Sequence, residues 1–185
     1  MFASAGHVTG HVRCTAGPAP AVSSQLSVPE AGDPVCVHVS PIVPEPGLLR
    51  PIAETLRALG VERALVVHGS GLDEVAVHGF TQAVRLADGE FEDLEITPEQ
   101  AGLRRLPLDQ IVGGAPNQNA KRLRALLTAH GREADETVVA LNAGALLMTA
   151  DKVANLRQGT VMAIDAIRSG RAGEVLDSFV EASRG

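Results

Sequence analysis

Aromatic residues are nearly absent from this 185-residue sequence, which has four phenylalanines and neither tryptophan nor tyrosine. A core must therefore be built from the leucine, isoleucine, valine and alanine that dominate its 45% hydrophobic content. The scarcity argues against a platform of rings for stacking the bases of single-stranded nucleic acid. The net charge of −6 also disfavours a general nucleic-acid-binding surface, although it leaves room for a local cationic pocket that holds a phosphate ligand.

Cysteines and long apolar runs are equally scarce. Cys14 and Cys36 lack C-x-x-C spacing, so a zinc site is not expected. No run approaches the roughly 18 apolar residues that indicate a membrane span. The N-terminus shows no charged region followed by an apolar stretch, the pattern typical of a signal peptide. We therefore expect a cytoplasmic location and no membrane partner.

Two regions differ in composition. Residues 1–46 are punctuated by seven prolines and rich in glycine, serine and alanine, so we expect mostly loop or disorder. Within them, residues 35–39 could pair as a short strand limited by Pro34 and Pro41. Residues 47–185 are orderly and form the predicted folded domain.

The pattern of residues 47–185 predicts an α/β fold in which a small sheet is packed by several helices. Asp88-Gly89 indicates a hairpin turn, and Thr97-Pro98 begins a short turn or helix. The predicted elements are a helix over 48–59, strands over 63–68, 81–86 and 91–96, and helices over about 116–129, 135–149, 153–169 and 175–180.

Apolar residues at helical spacing predict which faces of the later helices are buried. The predicted faces are Ala120, Leu123 and Leu127 in the first of these helices, Val138, Leu141, Ala145 and Met148 in the second, and Val175, Leu176, Phe179 and Val180 in the last.

The segment Gly69-Ser-Gly-Leu-Asp73-Glu74 places two adjacent carboxylates on a glycine-rich turn after an apolar strand. Oxygen ligands of this kind suit magnesium, which usually binds together with substrate phosphates. Two unpaired carboxylates this close repel each other, which favours a counter-cation. From spacing alone, a solvated acidic turn remains the commoner outcome, and the glycines are expected to permit the turn rather than to contact phosphate.

Other polar residues near this turn have ordinary structural interpretations. His68 and His78 flank the turn and are expected to be partly buried histidines with hydrogen-bond partners rather than catalytic groups. Gly113-Gly114 and the following asparagines are expected to punctuate and cap a helix rather than to bind an anion. Asn142, inside an apolar helix, is expected to bond to backbone.

Four stretches of residues 47–185, about three quarters of the chain, resemble the C-terminal part of anthranilate phosphoribosyltransferase in order and spacing. They are Leu48-Leu-Arg-Pro-Ile-Ala53 through Leu59-Gly60; Arg63-Ala-Leu-Val-Val-His-Gly69 with Gly71-Leu-Asp-Glu74; Gly113-Gly114 with Asn119-Ala120; and Leu141-Asn142-Ala143.

The resemblance implies a pentosyltransferase of tryptophan biosynthesis, with an incomplete phosphoribosyltransferase/nucleoside-phosphorylase-like catalytic domain as its fold. It implies transfer of phosphoribosyl from phosphoribosyl pyrophosphate to anthranilate, with Mg²⁺ held at the positions of Asp73 and Glu74. Magnesium there would stabilise the charge of the leaving diphosphate. The family is homodimeric through its helical domain, which leaves dimerisation of this chain open.

Half of the family's pattern is missing from the 185 residues. The helical domain, the G-T-G-G-D phosphate loop and the K-H-G-N-R anthranilate segment have no counterpart here. Residues 1–46 do not match the family, and a shifted or mis-started reading frame is one hypothesis for them. We therefore predict an inactive or impaired truncated transferase. The alternatives are a non-catalytic remnant, a half-enzyme that needs a partner chain, and a related phosphoribosyltransferase with another acceptor.

Overall fold

The computed structural model of the chain describes the backbone of 12–13 and 35–39 and the residues 45–72 and 74–184. Within these ranges there are five strands and five α-helices. They are β1 (Val12–Arg13), β2 (Val35–Val39), α1 (Leu49–Ala58), β3 (Arg63–His68), β4 (Thr81–Ala87), β5 (Glu90–Ile96), α2 (Pro116–Leu127), α3 (Glu133–Thr149), α4 (Leu156–Arg168) and α5 (Arg171–Ala182). Short 3₁₀ helices lie at Pro46–Leu48, Pro98–Ala101 and Leu108–Ile111.

The strands form one sheet in the order β1-β2-β3-β4-β5. Strand β2 pairs with β3 in parallel, Cys36 opposite Arg63, and the other three pairings are antiparallel. The predicted strand over 35–39 is therefore confirmed, whereas the rest of the prediction for 1–46 falls almost entirely outside the described residues. The predicted hairpin is also present, since Asp88 and Gly89 join β4 to β5 with positive φ angles of 52° and 79°.

Both faces of the sheet are covered by helices. Successive residues of a strand point to opposite faces, and β3 buries residues on each. Val66 packs with Leu49 and Ala53 of α1 on one face. Leu65 and Val67 belong to the larger core that contains Leu141 and Ala145 of α3. This arrangement confirms the predicted α/β fold and places the end of β3 next to α3.

Helix α3 is the central helix of the second layer. Its predicted core residues Leu141 and Ala145 are fully buried, and Val138 and Met148 pack against the same core. It crosses α4 closely because Gly144 and Gly159 lie at the contact: a Cβ on Gly159 would come within 2.5 Å of the Gly144 carbonyl oxygen. Among the described residues, no helix is both long and apolar enough to cross a membrane.

Three of the four predicted C-terminal helices, α2, α4 and α5, need correction at their ends or faces. Helix α4 begins at Leu156 rather than near Val153, because the Asn155 side chain accepts a hydrogen bond from the Gln158 N–H and caps it there. Helix α2 ends at Leu127, and it buries Leu126 while Leu123 stays 37% exposed.

Two helices present apolar side chains to solvent that the sequence pattern assigned to the core. In α2, Arg122 and Leu126 share a face at i,i+4 spacing, and this face turns toward α3, so Ala120 is exposed and Leu123 lies at the margin of the contact. In α5, Val175 and Phe179 are 69% and 56% exposed, because this helix packs through its other side, where Gly173 is buried.

Candidate functional site

A tight turn follows β3 at the acidic segment. The N–H of Gly69 donates to the Leu72 carbonyl, and the N–H of Leu72 donates to the Gly69 carbonyl, both at 3.2 Å. Ser70 and Gly71 form the tip with φ angles of 51° and 93°. Glu74 follows the turn and is half-buried, whereas Asp73 lies outside the described residues.

Position 69 requires glycine, because the backbone that follows the turn passes very close to its Cα. A Cβ on this residue would lie 2.0 Å from the Glu74 carbonyl oxygen and 3.2 Å from the Ala76 nitrogen. Both contacts are with backbone, which cannot rotate away as a long side chain can. The segment that carries Glu74 is therefore folded directly against the end of β3.

The far end of the turn is fixed by hydrogen bonds to Ser70. The Ser70 hydroxyl donates to the Phe80 carbonyl at 2.7 Å. His78 Nε2 lies 3.3 Å from the Ser70 carbonyl, an acceptor, so Nε2 carries the proton in this contact. His78 is half-buried, and its Nδ1 makes no hydrogen bond within the described part of the chain.

The two histidines therefore have different places. His78 belongs to the turn and is a structural partner for Ser70, as predicted for one of the flanking histidines. His68 is the last residue of β3 and lies opposite Gln82 of β4 in the ladder.

The segment after Glu74 is held from two sides. Asn142 of α3 exchanges two hydrogen bonds with Val75: the Val75 N–H donates to Oδ1 at 2.9 Å, and Nδ2 donates to the Val75 carbonyl at 3.2 Å. The N–H of Ala76 donates to the Thr81 hydroxyl at 2.8 Å. The prediction that Asn142 bonds to backbone is confirmed, and its partner is the residue next to Glu74.

A cavity of about 40 Å³ opens beside Glu74 between the end of α2 and the start of α3. Its lining is mainly apolar, with Glu74, Arg122 and Asp135 as the charged members; the apolar side chains are Ile111, Leu123, Leu126, Val138 and Val139. This volume holds a few water molecules, since one water needs roughly 10–15 Å³.

An ion-pair network closes one side of this cavity. The side chain of Asp135 is 12% exposed and accepts hydrogen bonds from both Arg122 and Arg132. Arg122 also donates to the Val112 carbonyl at 2.8 Å, which ties the start of α2 to α3. Burial alone would raise the pKa of Asp135, but the hydrogen bonds from Arg132 and Arg122 outweigh it, and the pKa lies below its usual value.

The glycine pair before α2 is capped as the sequence predicts. The Asn119 side chain accepts from the Gly114 N–H at 2.8 Å and donates to the Gly114 carbonyl at 2.9 Å. Gly113 and Asn119 also line the cavity, so two of the family-like motifs meet beside Glu74. Arg122 and Asp135 were not predicted as part of this site, because the pairing of two helices leaves no spacing signal between them.

Residues 42–173 match the model of the family described as "Glycosyl transferase family, a/b domain". The chain is 49% identical over 140 residues to an anthranilate phosphoribosyltransferase of Sorangium cellulosum, covering 76% of this chain and 40% of that protein. It is 46% identical over 127 residues to one of Tolumonas auensis, covering 69% of this chain and 38% of that protein.

Solved structures show the same likeness. The anthranilate phosphoribosyltransferase of Thermus thermophilus superposes with a TM-score of 0.70 at 38% identity, over 76% of this chain and 41% of that chain. The Saccharomyces cerevisiae enzyme in complex with PRPP and Mg superposes with a TM-score of 0.67 over 75% of this chain and 40% of that chain; at 23% identity this shows the fold alone. The chain spans about 40% of the length of the relatives it matches.

Proposed function

The chain belongs to the glycosyl transferase family of α/β domains, and from that premise we propose that it contributes the magnesium-binding part of a phosphoribosyl-transfer site. The proposed reaction moves phosphoribosyl from phosphoribosyl pyrophosphate to anthranilate, in tryptophan biosynthesis. The observation that carries this proposal is the acidic turn. Gly69 allows the backbone at Glu74 to pass close to the end of β3, and Glu74 then lies beside two other segments that resemble the family. One contains Gly113 and Asn119, and the other contains Asn142, which bonds to Val75.

The donor chemistry of the turn fits magnesium. Among the described residues, no three His, Cys, Asp or Glu side chains come together as a site that could enclose a metal by itself. Magnesium usually keeps several waters and is held by one or two carboxylates together with substrate phosphates. The adjacent carboxylates Asp73 and Glu74, which we propose as its protein ligands, match that mode of binding better than a closed protein cage.

The contribution of the chain is to bind and orient. The bound metal would supply positive charge to the departing diphosphate. Hydrogen bonds made by Gly69, Ser70 and His78 hold the described part of the turn, so that less free energy is needed to place the Glu74 carboxylate when substrate arrives.

We also propose that this chain acts only together with the family segments that its 185 residues do not contain. Its sequence contains no G-T-G-G-D loop or K-H-G-N-R segment, and it spans about 40% of the relatives' length. Because the family resemblance assigns phosphate and anthranilate contacts to these segments, we predict little or no transfer by the 185 residues without them.

Anthranilate fluorescence tests the proposal. The purified 185-residue chain is incubated with phosphoribosyl pyrophosphate, anthranilate and Mg²⁺, with and without a polypeptide that contains the part of the Thermus thermophilus relative outside the match. We expect turnover only in the combined sample. Glu74→Gln should reduce it about a hundredfold or more, whereas Glu90→Gln, a charge change at an exposed position of β5, should not.

Two results would count against this function. Robust turnover by the 185 residues alone would refute the need for the missing family segments. A combined sample in which Glu74→Gln is as active as the unchanged chain would remove the acidic turn from the reaction.

A further inference from the structure

We propose that Asn142 is a positioning residue for the acidic turn: its side-chain amide fixes the Glu74–Val75 peptide and thereby the place of the Glu74 carboxylate. This inference rests on the proposed function, in which Glu74 binds the metal. Asn142 lies 67 residues further along the chain, on α3, and its side chain does not need to touch substrate or metal for this role.

The two hydrogen bonds between the Asn142 amide and the Val75 backbone resemble those between two paired β-strands. The amide oxygen accepts from the Val75 N–H at 2.9 Å, and the amide nitrogen donates to the Val75 carbonyl at 3.2 Å. Because both bonds are made to the backbone, they constrain the path of the chain whatever side chain position 75 carries. Val75 is 1% exposed, so water cannot replace these bonds without opening the core.

The orientation of the amide is determined by a third contact. The second hydrogen on Nδ2 of Asn142 is directed to the Val138 carbonyl at 3.1 Å, one turn earlier in α3. A flipped amide would place its NH₂ group against the Val75 N–H and its oxygen against two carbonyls. Asn142 is therefore held by its own helix in the one orientation that fits the turn.

The Glu74–Val75 peptide is confined on its other side by Gly69. In a trans peptide the carbonyl and the N–H point in opposite directions. The N–H of Val75 points to Asn142, and the carbonyl oxygen of Glu74 occupies the space where a Cβ of Gly69 would be. The peptide therefore lies between α3 and the end of β3, and because the Cα of Glu74 belongs to the same planar unit, any displacement of the peptide would move it.

Truncating Asn142 leaves a buried N–H and a buried carbonyl of Val75 without partners, and the turn gains other conformations as they seek new ones. Removing a group that orients a metal ligand without touching the metal typically lowers metal affinity by about 10–100-fold. We expect a loss of about tenfold for Asn142→Ala, from disorder of Glu74 rather than from loss of a ligand.

Metal binding and hydrogen exchange together test this role on the full chain. Mn²⁺ is titrated in place of Mg²⁺ and followed by its paramagnetic resonance signal, at a temperature where every variant is folded. The control is Thr149→Val, on the same helix, which also loses a side-chain hydrogen bond to backbone but only to Ala145 of α3 itself. Asn142→Ala should weaken Mn²⁺ binding about tenfold, and Thr149→Val should leave it unchanged.

Amide exchange separates this inference from the proposed function. Asn142→Ala should accelerate exchange at Val75 and at the N–H of Leu72, while Thr149→Val should not. If the unchanged chain binds no Mn²⁺ even with phosphoribosyl pyrophosphate and the complementing polypeptide of the activity test present, the metal-site function is refuted, together with the metal-orienting part of this inference. If Asn142→Ala matches the control in both Mn²⁺ affinity and exchange at the turn, Asn142 is a helix residue without a positioning role.

Discussion

The guanidinium of Arg57 lies over the ring of Phe91, with its carbon 4.4 Å from the ring centre. Arg50, two turns earlier on α1, lies at 4.5 Å from the same centre. Phe91 also packs against the small core of α1, β3 and β4. One of the few aromatic residues of the chain thus connects β5 to α1, the helix that covers the face of the sheet opposite α3.

Phe91→Leu keeps an apolar side chain but removes the aromatic face. We expect the free energy of unfolding to fall by about 1–2 kcal/mol, since each arginine–ring contact contributes roughly 0.5–1 kcal/mol at an exposed site. Urea unfolding measures the change. In a double-mutant cycle, Arg57→Gln should cost less in the Phe91→Leu background than in the unchanged chain; equal costs would show that the two residues do not interact.

The ion pair of Arg122 and Asp135 predicts a pH dependence of stability. The pKa of Asp135 is lower in the folded chain than its ordinary value of about 3.9. Its hydrogen bonds therefore stabilise the fold above about pH 4, and this contribution is lost as the pH falls through the lowered folded value. Asp135→Asn should lower the melting temperature at pH 7 by a constant amount down to about pH 5.

Below about pH 4, the melting temperatures of the unchanged chain and of Asp135→Asn should converge. Thermal unfolding followed by circular dichroism at several pH values measures this. Asp165→Asn, which changes an exposed carboxylate paired with Arg171, is a matched control that should have a smaller effect at pH 7. If the melting temperatures of the unchanged chain and of Asp135→Asn still differ by the same amount at about pH 3, the carboxylate of Asp135 is not the source of this stability.

Gly69→Ala tests the compact form of the acidic turn. The added methyl group would meet the Glu74 carbonyl oxygen at 2.0 Å, so the backbone of the turn must move. We expect a loss of about 1–3 kcal/mol in stability and a weakened Mn²⁺ affinity. Gly47→Ala is the control: a Cβ there has nothing within 4 Å, so it should not lower stability and should leave Mn²⁺ affinity unchanged.

Features with local causes were predictable from the sequence. The hairpin at Asp88-Gly89 and the cap of the short helix after Thr97 depend on residues a few positions apart, and both are present. The α/β fold followed from the alternation of periodicities. In the site, the suggestion that Asn142 bonds to backbone was confirmed because an amide in an apolar helix must find a partner.

Features that depend on contacts between distant segments were not predictable. Val75, the partner of Asn142, lies 67 positions away, and no spacing rule connects them. The buried face of α2 was predicted wrongly because its few leucines allow more than one orientation, and the bond from Arg122 to Asp135 helps to select the one that buries Leu126. The metal role of Asp73 and Glu74 stays a prediction.

The crossing of α3 and α4 provides the last prediction. A Cβ on Gly144 would lie 2.6 Å from both the nitrogen and the hydroxyl oxygen of Thr160. Where a helix has free space, Gly→Ala raises the free energy of unfolding by up to about 1 kcal/mol. A decrease on Gly144→Ala would therefore report the close contact with Thr160. Gly144→Ala should lower the free energy of unfolding by about 1–3 kcal/mol in urea.

Thr160→Ala distinguishes a side-chain clash from a backbone clash at this crossing. Removing the hydroxyl oxygen leaves the Thr160 nitrogen where it was, so Thr160→Ala should not rescue Gly144→Ala. The hydroxyl is buried and has no hydrogen-bond partner among the described residues, so its loss costs no hydrogen bond by itself. A double variant as stable as Thr160→Ala alone would show that the added methyl group clashes only with the hydroxyl, and that the backbone of α4 does not limit the approach.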